Sequence, residues 1–270
     1  MKRRSLLIAM TSLIMCFSIL AHEFWIQPSR TRVRVGERIS LETLIGGGFA
    51  GEHWKGKGSR ITSYKHHYKD DVRDLLLAIE PGEAIVDLPD FIPHDEGTHM
   101  FTLSTTSAFV EMDAEIFEAF LKENGLMDAH EYRNANNQHF EKGREKHSRC
   151  AKLLIQAGAE TDQTYKKKAD LELEIIPLVN PYDYDIERGI TFKVLYEGEP
   201  LEGTMVKWWH KDGDNLETDF LYTDHRGEVT FSAAKPGLYM ISTVHMIRLL
   251  NDTAADWQST WSTLVFGNEF

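Results

Sequence analysis

Cysteine is almost absent from this sequence. Of its two cysteines, Cys16 lies in an apolar run at the start of the chain, which leaves Cys150 alone in the remainder. A single cysteine cannot form an internal disulfide, so the fold has to be held by its hydrophobic core. No thiol pair is available to a metal ion either. With 12 histidines in the sequence, imidazole is the expected ligand chemistry.

Basic residues are also scarce. Lysine and arginine number 30 against 42 aspartates and glutamates, and the formal net charge is −12. This acidity argues against nucleic acid as a partner, because phosphate binding needs a basic surface. The sequence contains no Gly-x-Ser-x-Gly elbow, no His-Glu-x-x-His and no phosphate-binding glycine loop. We therefore expect a binding protein and not an enzyme.

Long apolar runs are missing except at the N-terminus. Residues 2–4 are basic, Leu6–Leu20 is almost entirely apolar, and the small residue Ala21 follows. This pattern predicts a cleaved signal peptide over residues 1–21 and a periplasmic protein. The run is too short for a comfortable membrane span, so no membrane anchor is expected in the mature chain. Its first residue would be His22.

Strand and turn signals dominate the rest of the chain. We predict an N-terminal β domain over 22–112, a helical segment over 113–158, a polar linker over 159–170 and a C-terminal β-sandwich over 171–270. The helical segment is expected to hold two helices, one from Asp113 to Gly125 and one from near His139 to Ala157. Seven strands are predicted in the C-terminal part: Leu171–Val179, Thr191–Tyr196, Thr204–His210, Thr218–Tyr222, Glu228–Ser232, Leu238–Leu249 and Trp257–Phe266.

Several stretches in a fixed order resemble the bacterial DUF4198 family. They are His22–Ile26, Glu115–Leu126, Arg144–Leu154, Leu173–Tyr182, Tyr196–Leu201, Thr223–Gly227, Gly237–Tyr239 and Trp261–Phe266. Members of that family are often described as nickel-uptake or cobalt-transport substrate-binding components. The resemblance implies a periplasmic, metal-related binding protein whose second domain is similar to transthyretin. The fold expected is thus mainly β, with two β-sandwich-like (immunoglobulin/transthyretin-like) domains and a helical insertion between them.

His22 is the sharpest candidate metal ligand. As the first residue of the mature chain it would offer both its α-amine and its imidazole, whose reference pKa values of about 8 and about 6.5 leave both groups available near neutral pH. Glu23 could add a carboxylate, directly or through a hydrogen bond. His245, on the predicted strand Leu238–Leu249, is the second candidate imidazole; the alternative is a histidine packed on an apolar strand face.

A second cation site is conceivable in a proline-bounded turn, where His94, Asp95, Glu96 and His99 cluster. His66 and His67 are adjacent, so on a strand they would point to opposite faces and could not easily hold one ion. We expect them to be solvated loop residues. Arg144, Arg149 and Lys152 have helical spacing and are expected to form a solvated helix face.

The function expected is the binding of a divalent transition-metal ion, nickel, cobalt or copper, for uptake or buffering. A membrane metal-transport component could be the partner that receives the ion. Two alternatives stay open: a copper oxygenase built on an N-terminal histidine, and a metal-free adhesion or sugar-binding module. For an amine–imidazole site the intrinsic order of affinity is Cu²⁺ above Ni²⁺ above Co²⁺.

Overall fold

The structure, a computed structural model, describes residues 23–80, 82, 87–184, 187–232 and 235–267. The predicted signal peptide and His22 lie outside the described residues. Strand accounts for 52% and helix for 12%, so the prediction of a mainly β protein is confirmed. None of the described helices is long and apolar enough to cross a membrane.

The described residues form 18 strands and two α-helices. In chain order the strands are β1 (Glu23–Pro28), β2 (Arg32–Val33), β3 (Ile39–Gly47), β4 (Ala50–His53), β5 (Ile61–Tyr68), β6 (Asp71–Asp74), β7 (Asp87–Phe91), β8 (Gly97–Thr105), β9 (Ala108–Met112), β10 (Gly143–Ala157), β11 (Leu173–Pro177), β12 (Ile190–Tyr196), β13 (Glu199–Pro200), β14 (Met205–Asp212), β15 (Asn215–Tyr222), β16 (Glu228–Phe231), β17 (Leu238–Arg248) and β18 (Trp257–Gly267). The helices are α1 (Ala114–Glu123) and α2 (Met127–Ala135).

These strands form one large sheet and two small ones. The large sheet has ten strands in the order β15-β14-β17-β18-β10-β8-β5-β6, with β2 and β9 also paired to β10. One small sheet has the order β1-β3-β4, with β7 also paired to β3. The second has the order β11-β12-β13, with β16 paired to β12. Pairing is antiparallel except that β10 runs parallel to β18 and to β2.

The large sheet lies between the two small ones. One core contains Phe24, Trp25 and Ile26 of β1 together with Met240 and Val265 of the large sheet. The other core joins residues of β11 and β12 to the opposite face of the same strands. A third, smaller cluster packs α1 and α2 against β17 and β18. The three layers place the first residues of β1 directly against the middle of the large sheet.

The second predicted helix, from near His139 to Ala157, is wrong. Most of that segment is β10, a strand of 15 residues in the centre of the large sheet. From Ser148 onward every residue of β10 is buried, because both faces of the sheet are covered. A strand buried on both faces shows no alternation in its sequence. Its run of apolar and long side chains therefore matched helical spacing by coincidence.

The first predicted helix is confirmed as α1, which ends at Glu123, and Gly125 follows it with the positive φ of a helix stop. The linker predicted over 159–170 does not separate the sheets. Strand β10, which precedes this segment in the sequence, pairs with β18, which follows it, and both belong to the large sheet. The domain boundaries therefore stay predictions, while the large sheet joins the two parts of the chain.

Candidate functional site

Strand β1 carries Glu23, the second residue after the predicted cleavage point, into the interior. Glu23 is only 3% exposed, and the next three residues of β1 are buried as well. Backbone pairing with β3 holds one side of the strand, where Glu23 faces Gly46. On the other side the Thr263 hydroxyl of β18 donates to the carbonyl of Phe24, at 2.7 Å. The start of β1 is thus fixed against the large sheet.

The carboxylate of Glu23 lies among polar groups from three other elements. It accepts a hydrogen bond of 3.4 Å from the Ser242 hydroxyl and lies 4.0 Å from the Lys207 ammonium. Lys207 also donates to the side chain of Asn124, at 2.8 Å, at the end of α1. Burial raises the pKa of Glu23, and the charge of Lys207 opposes that shift.

The space around Glu23 is small. A cavity of about 10 Å³ is bounded by Glu23, Asn124, Lys207 and Ser242 on its polar side and by Met205 and Trp261 among its apolar walls. That volume corresponds to about one water molecule. The described part of this cavity therefore has room for about one ion or water molecule.

Arg149 is a buried cation beside this site. It is 6% exposed, and its guanidinium lies over the ring of Phe24 at 5.9 Å from the ring centre. Burial lowers the pKa of Arg149 to about 10, Arg60 adds to that shift, and the charges of Glu145 and Glu23 oppose it. Arg149 therefore interacts electrostatically with two buried carboxylates.

Glu145 is the second of these carboxylates. It is 2% exposed and accepts a hydrogen bond from the Ser259 hydroxyl, which in turn accepts one of 3.2 Å from the indole of Trp261. Burial raises the pKa of Glu145 to about 7. The group therefore changes charge near neutral pH, a property that perturbed carboxyl groups at functional sites share.

His147 lies between Glu145 and Arg149 on β10 and, by strand alternation, points to the same face. Burial, with Arg149 and Arg60, lowers the pKa of His147 to about 3. Its imidazole is neutral at physiological pH, as a metal ligand has to be. Sequence reasoning missed Glu145 and His147 because a helix was expected here, and the solvated face expected for Arg149 and Lys152 is wrong, since both are buried.

His245 does not come near Glu23. It lies on β17, three residues from Ser242, and strand alternation directs the two side chains to opposite faces. The ring of His245 packs on Tyr196 of the second small sheet, with 4.3 Å between ring centres. Burial lowers the pKa of His245. The expected pairing of His245 with the N-terminal residue is therefore not supported by the geometry of the described chain.

His99 is part of a different group. It is 3% exposed on β8, with its Nδ1 3.0 Å from His66 Nε2 and its Nε2 3.2 Å from the carbonyl oxygen of Asp95. The expected cluster with His94 and Glu96 is not assembled around it, because those side chains are exposed. The Glu96 carboxylate instead accepts two backbone N–H groups, from residues 159 and 160.

His66 and His67 do point to opposite faces, as predicted for a strand. His66 contacts His99, whereas His67 lies 3.1 Å from the Thr102 hydroxyl. The expectation that they are solvated loop residues is wrong, because both lie in β5 and are buried. Within the described ranges, no three histidine, cysteine or acidic side chains are arranged to hold a metal ion.

Comparison with known proteins gives one family. A family model described as Domain of unknown function (DUF4198) matches residues 19–247. No curated protein matches the chain. Similar solved structures include trypsin-activated alpha-2-macroglobulin from Escherichia coli, with 10% identity and a TM-score of 0.21. Another is dimeric latent PorU from Porphyromonas gingivalis, with 14% identity and a TM-score of 0.21. Each match covers 92% of this chain but only 16% and 20% of those chains.

Proposed function

The chain belongs to the DUF4198 family, whose function is unknown, and from its geometry we propose that it is an exported protein that binds one divalent transition-metal ion at the N-terminus of the mature chain. The observation that carries the proposal is the burial of Glu23 against the large sheet. His22 is covalently bonded to Glu23. In this proposal its α-amine and imidazole are the donors that join the buried carboxylate of Glu23 at the metal ion.

The residues around Glu23 fit a metal ion better than an organic ligand. The site offers a carboxylate at Glu23 and space for about one ion. Carboxylate, imidazole and amine are ligands that suit nickel, cobalt and copper. Because the described side chains do not form a ligand set by themselves, His22 has to supply donors in this proposal.

The proposed role is to bind and release the ion, not to catalyse a reaction. A cavity of about 10 Å³ leaves no room for a substrate beside the metal. Two cations, Arg149 and Lys207, lie near the carboxylates and lower the affinity for a positive ion. Moderate affinity suits a protein that passes the ion on, and a membrane metal-transport component is the partner we propose.

The proposal also includes the location and the finer fold. We infer a periplasmic protein with a signal peptide cleaved after Ala21. The two small sheets cover opposite faces of the large one, so two β-sandwiches of immunoglobulin or transthyretin type would share that sheet.

The experiment that tests the proposal compares two forms purified from the periplasm. One form has the natural N-terminus, verified by intact mass, and the other carries one extra glycine before His22. Both are titrated with Ni²⁺, Co²⁺ and Cu²⁺ against a competing chelator. We expect the natural form to bind at least about tenfold more tightly, because the extra residue separates the amine from the imidazole.

The exposed residue His94 provides a matched control, since His94→Ala removes an imidazole remote from β1. We expect it to leave the affinity unchanged, whereas His22→Ala should weaken binding. Equal affinities of the natural and extended forms would disprove the N-terminal site.

A further inference from the structure

A second cavity lies away from Glu23, beside the His66–His99 pair. It has a volume of about 350 Å³ and lies between β5, β7 and β8. Its walls are aromatic, with Tyr64, Tyr68, Phe91 and Phe101 around the two imidazoles. The ring of Phe91 lies 5.0 Å from the rings of both His66 and His99. The volume is within the range of small-molecule sites.

The hydrogen bonds of the pair determine which nitrogens carry protons. A carbonyl oxygen only accepts, so His99 Nε2 has to carry the proton that it shares with the carbonyl of Asp95. In the neutral ring His99 Nδ1 is then an acceptor, and His66 Nε2 donates to it. His66 Nδ1 is left as an acceptor, without a hydrogen-bond partner among the described residues.

Both rings are neutral under physiological conditions. Burial lowers the pKa of His66 to about 3, and His99 adds to that shift. Burial also lowers the pKa of His99. The lone pair on His66 Nδ1 therefore persists at neutral pH and can accept a proton donor from a ligand.

The hydroxyl of Tyr64 is a second polar group that lacks a partner. Tyr64 is fully buried in this wall of the cavity, and its hydroxyl oxygen makes no hydrogen bond within the described part of the chain. Buried polar groups are nearly always hydrogen-bonded in folded proteins. An unpaired hydroxyl beside a cavity therefore points to a ligand that would pair with it.

The charged residues at the cavity favour a cation over an anion. Asp71, Asp90 and Asp95 line it together with one arginine, Arg73. The guanidinium of Arg73 is already bonded to Asp71, at 2.9 Å. Asp90 is likewise bonded to Arg38, at 2.9 Å, so an anion would meet the remaining carboxylate of Asp95. A cation would meet aromatic faces, which attract positive charge, and the exposed carboxylate of Asp95.

We propose that this cavity binds a small organic ammonium ion, whose N–H groups donate to His66 Nδ1 and the Tyr64 hydroxyl and whose hydrocarbon part packs on the aromatic walls. The apolar lining distinguishes this ligand from a hydrated metal ion. The unpaired acceptors distinguish it from a quaternary ammonium ion, which has no N–H to donate. This site is independent of the one proposed at Glu23.

The test uses four probes of similar shape in calorimetric titrations: 2-phenylethylammonium, its N-trimethyl derivative, 2-phenylethanol and 3-phenylpropionate. We expect the primary ammonium ion to bind most tightly and the carboxylate least. Tyr64→Phe should weaken ammonium binding about tenfold, because one charge-assisted hydrogen bond is lost. The same substitution should not lower the unfolding midpoint, since the hydroxyl it removes is unpaired.

Tyr68→Phe is the matched control. The Tyr68 hydroxyl donates to the carbonyl of Glu96, at 2.8 Å, while its ring packs on His99. We expect this variant to bind the ammonium probe as the wild type does. Binding of the alcohol or the carboxylate as tightly as the ammonium ion, no binding of any probe, or an unchanged affinity in Tyr64→Phe would overturn the proposal.

A metal ion at the His66–His99 pair is the competing outcome. The form with an extra residue before His22 is incubated with NiCl₂, and the imidazole nitrogens are observed by ¹H–¹⁵N NMR. We expect the His66 signals to respond to 2-phenylethylammonium and not to Ni²⁺. Displacement of the ammonium probe by Ni²⁺ would assign the pair to a metal instead.

Discussion

Lys152 and Glu174 form an ion pair that is closed off from solvent. Their side chains are 1% and 0% exposed, and the ammonium of Lys152 donates to the Glu174 carboxylate. Lys152 also donates to the carbonyl of Ile175, at 3.2 Å, and Glu174 accepts the N–H of Ala169, at 2.6 Å. Burial lowers the pKa of Lys152, and Glu174 opposes that shift. Each charge is compensated mainly by the other.

Removing one partner of this pair should be costly. We expect Lys152→Met to lower the free energy of unfolding by about 3–5 kcal/mol, because it leaves a buried carboxylate without its cation. The double variant Lys152→Met with Glu174→Leu should recover most of that loss, since no buried charge remains. Urea unfolding of the three proteins measures both effects.

Lys142→Met is the control for this prediction. Lys142 pairs with Glu111 at 2.7 Å, but both side chains are about half exposed. Its removal should cost far less, because an exposed ion pair contributes little to stability. A similarly small loss in Lys152→Met would contradict the interpretation of Lys152–Glu174 as a tightly coupled buried pair.

Single residues show where sequence reasoning succeeded and where it did not. Glu23 was identified from its position after the predicted cleavage point, and the structure buries it beside other charges. The roles of Glu145, Arg149 and Lys152 could not be predicted in the same way. Charged residues are normally solvated, and only the covering of both sheet faces, a long-range property of the fold, buries these three.

At the scale of elements, the end of α1 is connected to the candidate site. The N–H of Leu126 bonds to the carbonyl of Leu121 at 2.8 Å, and that of Gly125 to Lys122 at 3.2 Å, which is a Schellman motif. Gly125 has a φ of 66°, as this motif requires. Asn124, the preceding residue, accepts the hydrogen bond from Lys207, and Lys207 lies beside Glu23.

Gly125→Ala should therefore be destabilising for two reasons. An alanine at this position has to adopt an unfavourable positive φ, at a cost of about 1–2 kcal/mol. Its Cβ would also lie 2.8 Å from the Cβ of Met205. Gly213→Ala isolates the first effect, because Gly213 has a φ of 57° and nothing within 4 Å of the added Cβ. Urea unfolding should show a loss for Gly125→Ala that exceeds that for Gly213→Ala by about 1 kcal/mol or more. Equal losses would mean that Met205 moves aside freely.

Elements bounded by turn residues were predictable from the sequence. Helix α1 and the seven C-terminal strands agree with the prediction to within a few residues, and these strands include β11 and β18, which are buried on both faces. The hairpin at Glu197–Gly198 is an example of such a turn, since both residues have positive φ in a two-residue turn. Strand β10 was mistaken for a helix, because it lacks alternation and its apolar residues recur at helical spacing.

At the scale of the whole molecule, buried titratable groups make stability depend on pH in two opposing directions. Burial lowers the pKa of His66 and of His147 to about 3, from an ordinary value of 6.5. Below pH 6.5 the unfolded chain therefore takes up protons that the folded chain does not, and the free energy of unfolding falls. Glu145 acts in the opposite sense. Its pKa is raised from 4.5 to about 7, so it stabilises the fold more at lower pH, and that contribution is lost as pH rises towards 7.

Between pH 6.5 and pH 5 each of these three groups should change the free energy of unfolding by about 2 kcal/mol. The two histidines outweigh the one carboxyl group, so we expect the metal-free protein to lose stability on acidification. Glu145→Gln should make that loss larger, since it removes the stabilising term, whereas His147→Gln should make it smaller. Urea unfolding at the two pH values, with chelator present, measures the difference for each variant.

The exposed residue Glu131 supplies the control, because Glu131→Gln should leave the pH dependence of the wild type unchanged. If all three variants lost the same free energy as the wild type, Glu145 and His147 would titrate in the folded protein as they do in the unfolded chain. The buried charges beside β1 would then have to be open to solvent.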